Sequence, residues 1–147
     1  MQSKSTKIKL MIVDDEPEIQ RSIGRFISFQ PEMESVEIIN ASTFEEALKL
    51  LENETPLIIL QDINLPDGNG LQFIKQAKKK YPMVQFIVIT GASDLDRVME
   101  AISLGAVDYI KKPLDLESLS TVIQETMNRC KRLRELLVEE YSSQNTA

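Results

Sequence analysis

The sequence predicts an α/β fold, a parallel five-stranded sheet covered by helices on both faces. Two observations predict it. Strand-like and helix-like segments alternate five times along the 147 residues, joined by short connections, which calls for right-handed crossovers. The strand segments are also near-continuous apolar runs, as expected where a parallel strand is buried on both sides.

Taken in order, residues 1–6 are polar and read as a loose tail. Residues 7–13 (KIKLMIV) form the first strand. Pro17 suits the first position of the following helix, and Asp14, Asp15 and Glu16 suit its positive end. Ile19, Ile23, Phe26 and Ile27 give that helix its apolar spacing. Residues 36–39 form a short second strand. Ser42 and Thr43 each have a glutamate three residues on, Glu45 and Glu46, a capping-box signal. The helix it opens carries Phe44, Ala47, Leu48 and Leu51. Residues 57–60 are the third strand. The third helix starts near Asn69, carries Leu71, Ile74 and Ala77, and stops by Tyr81 and Pro82.

Residues 84–89 (VQFIVI) form the fourth strand and run into Thr90, Gly91 and Ala92. Ser93 or Asp94 can cap a fourth helix through Val98, Ala101 and Ile102, closed by Gly105. Residues 106–110 form the fifth strand, ended by Lys111, Lys112 and Pro113. Asp115 caps a last helix that runs to about Tyr141. In it, Leu116, Leu119, Ile123, Thr126, Cys130, Leu133 and Leu137 follow a 3-4 heptad spacing. The first half should pack on the sheet, while residues 131–140 project beyond it as a coiled-coil linker or dimer contact. The final SSQNTA reads as polar linker. One domain is expected over residues 7–128, with residues 129–147 an extended helix and tail.

Composition narrows the chemistry. Net charge is −6, which argues against direct nucleic-acid binding by phosphate neutralisation. Cys130 is the sole cysteine, so no internal disulfide can form. No apolar run approaches membrane-spanning length and no signal-peptide pattern opens the chain, so the expected location is the cytoplasm, with no membrane partner. The chain has no histidine. That leaves almost no ligands for zinc, copper or haem and excludes His-based acid–base catalysis.

The polar residues collect where an open parallel sheet binds ligands, beyond the carboxyl ends of its strands. The first strand ends on Asp14 and Asp15. The third ends on Asp62, with Asn64 just past it. The fourth ends on Thr90 and the fifth on Lys112. With strands one and three adjacent, three carboxylates meet in one crevice beside a hydroxyl and an ammonium. Their repulsion is relieved by a hard divalent cation, and oxygen-only ligation points to Mg²⁺, with Mn²⁺ or Ca²⁺ as alternatives. A carboxylate can also attack phosphorus to give an acyl phosphate. Asp62 fits as nucleophile, Asp15 as metal ligand, and Thr90 and Lys112 as phosphoryl partners, with Gly91 leaving room for the incoming group. Any one of these groups alone is more often a turn residue, a cap or a solvated charge. It is their joint placement that carries the reading.

The segments VDDEP (13–17), QDINLPDGNG (61–70), ITGASD (89–94) and GAVDYIKKP (105–113) together resemble the receiver domain of two-component response regulators. The resemblance implies a flavodoxin-like fold with strand order 2-1-3-4-5. It implies that Asp62 is phosphorylated by a histidine kinase or a histidine phosphotransfer protein, so that the chain is a signalling phosphoacceptor rather than an enzyme. Asp14, Asp15, Asp62 and the backbone carbonyl of Asn64 match the Mg²⁺ ligands. Thr90 and Tyr109 match the switch pair, and Lys112 the phosphoryl-pairing lysine. A homodimer through the last strand and helices, or through the C-terminal helix, is a further expectation. Two residues depart from the pattern or bear on its chemistry. Gln61 replaces the usual apolar residue and, if buried, needs partners. Ala92, with Asn64, should influence water access to the acyl phosphate.

Two other classes compete, an enzyme and a binding module of either of two kinds. An aspartyl phosphatase would want an acid–base Asp two residues past the nucleophile, where this chain has Asn64. A flavin carrier of similar fold would want Gly, Ser and Thr after the first strand, where Asp14, Asp15 and Glu16 repel phosphate. A receiver-like adaptor that is never phosphorylated would not need the full set of reacting residues.

Overall fold

The computed structural model describes residues 7–91 and 94–145. The expected N-terminal tail, Ala92, Ser93 and the last two residues of the C-terminal tail lie outside the described residues. The five main strands are β1 (Ile8–Val13), β2 (Val36–Ala41), β3 (Ile58–Asp62), β4 (Gln85–Thr90) and β5 (Asp108–Lys111). The helices are α1 (Pro17–Ser28), α2 (Phe44–Glu54), α3 (Gly70–Lys80), α4 (Leu95–Ser103) and α5 (Leu116–Asn145). All neighbouring strands run parallel in the order 2-1-3-4-5. This is the doubly wound arrangement expected from the sequence, with strand order reversing between β1 and β3.

Strand alternation sorts the core into two layers. Met11, Val13, Ile59, Phe86 and Val88 face α2, α3 and α4, meeting Phe44, Leu51, Phe73, Ile74, Val98 and Ala101. Phe73 links this layer, stacking on Phe44 at 5.4 Å and meeting Phe86 edge-on at 5.9 Å. Leu10, Ile12, Ile58, Leu60, Ile87 and Ile89 face the other way, against Ile23 and Ile27 of α1 and Leu119 and Ile123 of α5.

The helix ends follow their local chemistry. Pro17 opens α1. Of the two capping candidates before α2, Thr43 takes the role, its hydroxyl accepting the Glu46 N–H at 3.1 Å. Asn69 caps α3 through the Leu71 N–H at 2.9 Å. Helix α4 closes in a Schellman motif around Gly105, whose φ of +116° suits glycine. Asp115 caps α5 through Glu117 N–H.

Several details differ from the sequence reading, among them the third strand, which reaches Asp62, and the fifth, which runs Asp108–Lys111. β2 extends to Ala41, because Asn40 and Ala41 continue the pairing with Ile12 and Val13. A 3-10 turn, Pro31–Met33, precedes it and buries Met33. The loop after β3 folds into a short antiparallel ribbon, Asn64–Leu65 with Gly68–Asn69. Helix α5 continues through Ser142 and Ser143 to Asn145 instead of stopping at Tyr141. Thr126 and Cys130 are buried in the domain, and the Thr126 hydroxyl donates back to the Val122 carbonyl at 2.7 Å. From Lys131 onward the described side chains are exposed, Leu133, Leu136, Leu137 and Val138 among them. Among the described residues, no helix is long and apolar enough to cross a membrane.

Candidate functional site

The carboxyl ends of β1, β3, β4 and β5 are brought level by the register. Val13 pairs with Gln61, Gln61 with Val88, and Thr90 with Lys111. Backbone bonds continue past the strand ends, with Asp14 N–H on Ala41 O at 3.0 Å, Ile63 N–H on Ile89 O at 3.1 Å and Lys112 N–H on Thr90 O at 2.8 Å. Gln20 of α1 secures the same edge by donating to the Asp14 carbonyl at 2.7 Å. The residues just beyond the apolar runs therefore cannot drift apart.

Continuing the alternation, Asp14 and Asp62 fall on the α1/α5 side of the sheet. Asp14 is fully buried and Asp62 is 7% exposed. Asp14, Asp15, Glu16 and Asp62 each offer a carboxylate oxygen, and these oxygens lie within 4.8 Å of one another. Lys112 reaches into the group. Its Nζ stands 2.8 Å from Glu16, 3.0 Å from Asp62 Oδ2 and 3.3 Å from Asp14 Oδ2. Burial works against its charge, but the hydrogen bonds to Glu16 and Asp62 and the fields of Asp62 and Asp14 outweigh it and push the ammonium's pKa up. Asp14 is shifted the other way for a carboxylate. Burial raises its pKa, partly offset by the Glu16 N–H, which reaches Asp14 Oδ1 at 2.8 Å, and by Lys112.

Asp14 Oδ2 is a buried oxygen with no hydrogen-bond partner, because Lys112 at 3.3 Å lies outside bonding geometry. An orphaned carboxylate oxygen beside three further carboxylates fits a hard divalent cation, and nothing in the donor set favours a softer metal. The acidic cluster could hold such an ion.

Asp62 is held on both oxygens. Oδ1 accepts the backbone N–H of Asn64 at 2.9 Å and Oδ2 faces Lys112. Thr90 lies at the end of β4, 2% exposed, with its hydroxyl donating to the Gly91 carbonyl at 3.1 Å. Tyr109 is on β5, opposite Val88, so its side chain shares a sheet face with Thr90 two rungs on. The ring is 37% exposed. The structure thus gathers Asp14, Asp15, Asp62 and Lys112 in direct reach, and leaves Thr90 and Tyr109 close by without a bond to Asp62.

Gln61 points to the opposite face from Asp62, toward α3. It is fully buried, its Nε2 donates to the Gly70 carbonyl at 2.8 Å, and its Oε1 has no partner. The amide ties the strand end to the first residue of α3 across the loop that follows Asp62. Asp67, at the tip of that loop, accepts the backbone N–H groups of Phe44 and Glu45, each at 3.2 Å, and so caps α2 from a distance. Asn64 is tied to α4, donating to Asp94 Oδ2 at 2.8 Å and accepting from the Arg97 guanidinium.

Glu16, Asp67, Asp94 and Arg97 were not singled out from the sequence as site residues. Glu16 carried a signal, since it stands third in an acidic run, but that run also suits a helix N-terminus. Its side chain makes no capping bond and turns to Lys112 instead.

Comparison with known proteins agrees with this geometry. The pattern of the response regulator receiver domain matches residues 10–124. The chain is 32% identical over 120 residues to the DNA-binding transcriptional regulator NtrC of Escherichia coli K12, covering 80% of this chain and 24% of that protein. It is 32% identical over 136 residues to the response regulator protein PilR of Pseudomonas aeruginosa, covering 90% and 28%. It therefore spans about a quarter of the length of these two curated relatives. Among solved structures, a CheY-like receiver domain protein from Methanospirillum hungatei superposes with a TM-score of 0.78 at 31% identity, over 86% of this chain and 98% of that one. NtrX from Brucella abortus superposes with a TM-score of 0.79 at 26% identity, over 88% of this chain and 29% of that one. With the sheet order, the acidic cluster and the family match in agreement, this chain belongs to the response regulator receiver domain family.

Proposed function

We propose that this chain is a phosphorylation-dependent signalling switch that accepts a phosphoryl group on Asp62 from a histidine kinase or a histidine phosphotransfer protein. The observation that carries the reading is the setting of Asp62, at the end of a central strand, between Lys112 and the Asn64 N–H and beside three more carboxylates. In the transfer, an Asp62 oxygen forms a bond to phosphorus. The P–N bond to the donor imidazole breaks, and its electron pair stays with the imidazole. The absence of histidine in this chain is consistent with a donor on the partner.

Asp14, Asp15, Asp62 and the Asn64 carbonyl would hold Mg²⁺, or Mn²⁺ in its place. The ion would supply charge neutralisation on the phosphoryl oxygens. Asp14 and Asp15 would reach the ion from just beyond the end of β1. Lys112 pairs with the phosphoryl group from the other side, moving from carboxylate to phosphoryl oxygen with no change in its own charge. Thr90 turns its hydroxyl from Gly91 toward the phosphoryl group, and the Tyr109 ring turns inward along the same face. These movements alter the surface of α4 and β5, which is how the state is read. No turnover of an external substrate belongs to this scheme, only self-phosphorylation and self-dephosphorylation. The switch unit spans residues 7–128 and works in the cytoplasm. From residue 129 to Asn145 the end of α5 is a linking helix whose exposed Leu133 and Leu137 pair with a second copy.

The test is incubation with acetyl phosphate and Mg²⁺ followed by intact-mass measurement. The parent gains the mass of one phosphoryl group, and Asp62→Ala does not. No gain under any phosphodonor, or an equal gain in Asp62→Ala, refutes the assignment.

A further inference from the structure

We infer that Arg97 is a positioning residue that prolongs the acyl phosphate by keeping the Asn64 amide away from water, an inference that rests on the phosphoacceptor reading of Asp62. Asn64 lies two residues past Asp62, and its backbone N–H is bonded to Asp62 Oδ1 at 2.9 Å, so its place relative to that carboxylate is fixed. Its side chain is exposed at the mouth of the site. The amide is nevertheless engaged at both ends. Its oxygen accepts from Arg97 Nη1, and its nitrogen donates to Asp94 Oδ2 at 2.8 Å. The second guanidinium nitrogen, Nη2, reaches the Ile63 carbonyl at 3.4 Å.

Arg97 thus spans two acceptors of the loop that carries Asn64, using the planar fork that distinguishes arginine from lysine. It comes from α4 and makes no hydrogen bond or ion pair with Asp62, so its effect on Asp62 passes through Asn64. Asp94, at the start of the same helix, fixes the other end of the amide.

The consequence concerns hydrolysis. In that step a water oxygen forms a bond to phosphorus, and the P–O bond to Asp62 breaks with its electron pair returning to the carboxylate. One water proton stays on the released phosphate as hydroxyl and the other passes to solvent. A water held for that attack needs a hydrogen-bond acceptor near the mouth of the site. The Asn64 side chain has one such atom, its oxygen, and the Arg97 bond takes one of its two lone pairs and competes with water for the oxygen. Removing Arg97 frees that oxygen to hold the water.

The experiment measures decay of the acyl phosphate after removal of acetyl phosphate, by intact mass, for the parent, Arg97→Ala, Arg97→Lys, Asn64→Ala and the Arg97→Ala/Asn64→Ala double variant. Arg97→Ala decays about threefold to tenfold faster than the parent, the size usual for coupling between touching groups. Arg97→Lys follows Arg97→Ala, because the shorter side chain ends in one nitrogen and lacks the fork that places Nη1 on Asn64 and Nη2 on Ile63. The double variant decays at the rate of Asn64→Ala alone. Decay of Arg97→Ala at the parent rate overturns the inference, as does an equal acceleration with Asn64 removed, or a parent-like rate in Arg97→Lys. If the parent takes up no phosphoryl group, the phosphoacceptor reading fails and this one with it. Normal uptake with unchanged decay in Arg97→Ala overturns this inference alone.

Discussion

Replacing Gly70 by alanine should destabilise the protein far more than a helix-opening Gly→Ala change normally does. Gly70 does not have a left-handed backbone, so strain in φ is not the cause. The cause is space. A Cβ at this position would lie 2.7 Å from Gln61 Nε2, 2.8 Å from the Ile63 carbonyl oxygen and 3.1 Å from Ile63 Cα. Two of those atoms are backbone at the end of β3 and cannot retreat without moving Asp62. Overpacking of this kind costs about 1–3 kcal/mol. The third atom is the donor of the Gln61 to Gly70 hydrogen bond. Displacing it leaves a buried amide with no partner at either end, a further 1–3 kcal/mol or so. The expected loss is about 2–6 kcal/mol, out of roughly 5–15 for a whole domain. With three tyrosines and no tryptophan, urea unfolding is best followed by far-ultraviolet circular dichroism. The midpoint should fall by about 1–3 M for a slope of about 2 kcal/mol/M. Gln61→Ala in the same chain should restore part of the loss, because it removes the 2.7 Å contact and leaves the two to Ile63. A midpoint within about 0.3 M of the parent would refute the steric reasoning.

Asp14→Asn should raise the urea midpoint of the metal-free protein by the equivalent of about 1–3 kcal/mol, because it removes a buried charge whose Oδ2 has no hydrogen-bond partner. Mg²⁺ should then stabilise the variant less than the parent. Since the Asp14 pKa is raised on folding, its favourable contribution is complete below the ordinary value of 3.8 and is lost as pH rises through the folded value. The variant's advantage should therefore widen as pH rises from about 4 to 7. An advantage that does not change with pH would count against burial as the cause. Asp67→Ala should cost about 0.5–2 kcal/mol by uncapping the Phe44 and Glu45 amides, and exchange of those two amides should quicken in hydrogen–deuterium measurements. Lys112→Ala should bind Mg²⁺ more tightly than the parent by calorimetric titration, yet accept the phosphoryl group more slowly. Sedimentation should show self-association that Leu137→Asp abolishes while circular dichroism of the receiver unit stays unchanged.

The sheet was legible because each strand is a short apolar run closed by a polar residue. The parallel order follows from alternation with helices. Asp14, Asp62, Thr90 and Lys112 were legible for the same reason, since a strand end is a place that sequence spacing locates well. Lateral contacts between loops were not legible. Asp67 caps α2 from 22 or 23 positions away, and Arg97 reaches Asn64 across 33. Neither spacing leaves a periodic trace. Gln61 stood out as a polar residue in an apolar run, but its partner, a backbone carbonyl, has no residue-type signature. In the last helix the 3-4 spacing runs from buried Leu119, Ile123, Thr126 and Cys130 to exposed Leu133 and Leu137, and the spacing alone does not mark the residue at which burial ends.

The ammonium of Lys112 sits among Asp14, Glu16 and Asp62 as a counter-ion that the chain carries with it. A site built only of carboxylates would force the fold to open, or to take up protons, whenever its metal left. Here a divalent ion, if bound, would leave behind a pocket still partly neutralised by Lys112, so its loss would not by itself open the fold, unlike sites where the metal is what holds the fold together. Its affinity would be set by what it adds over a resident charge that never diffuses away.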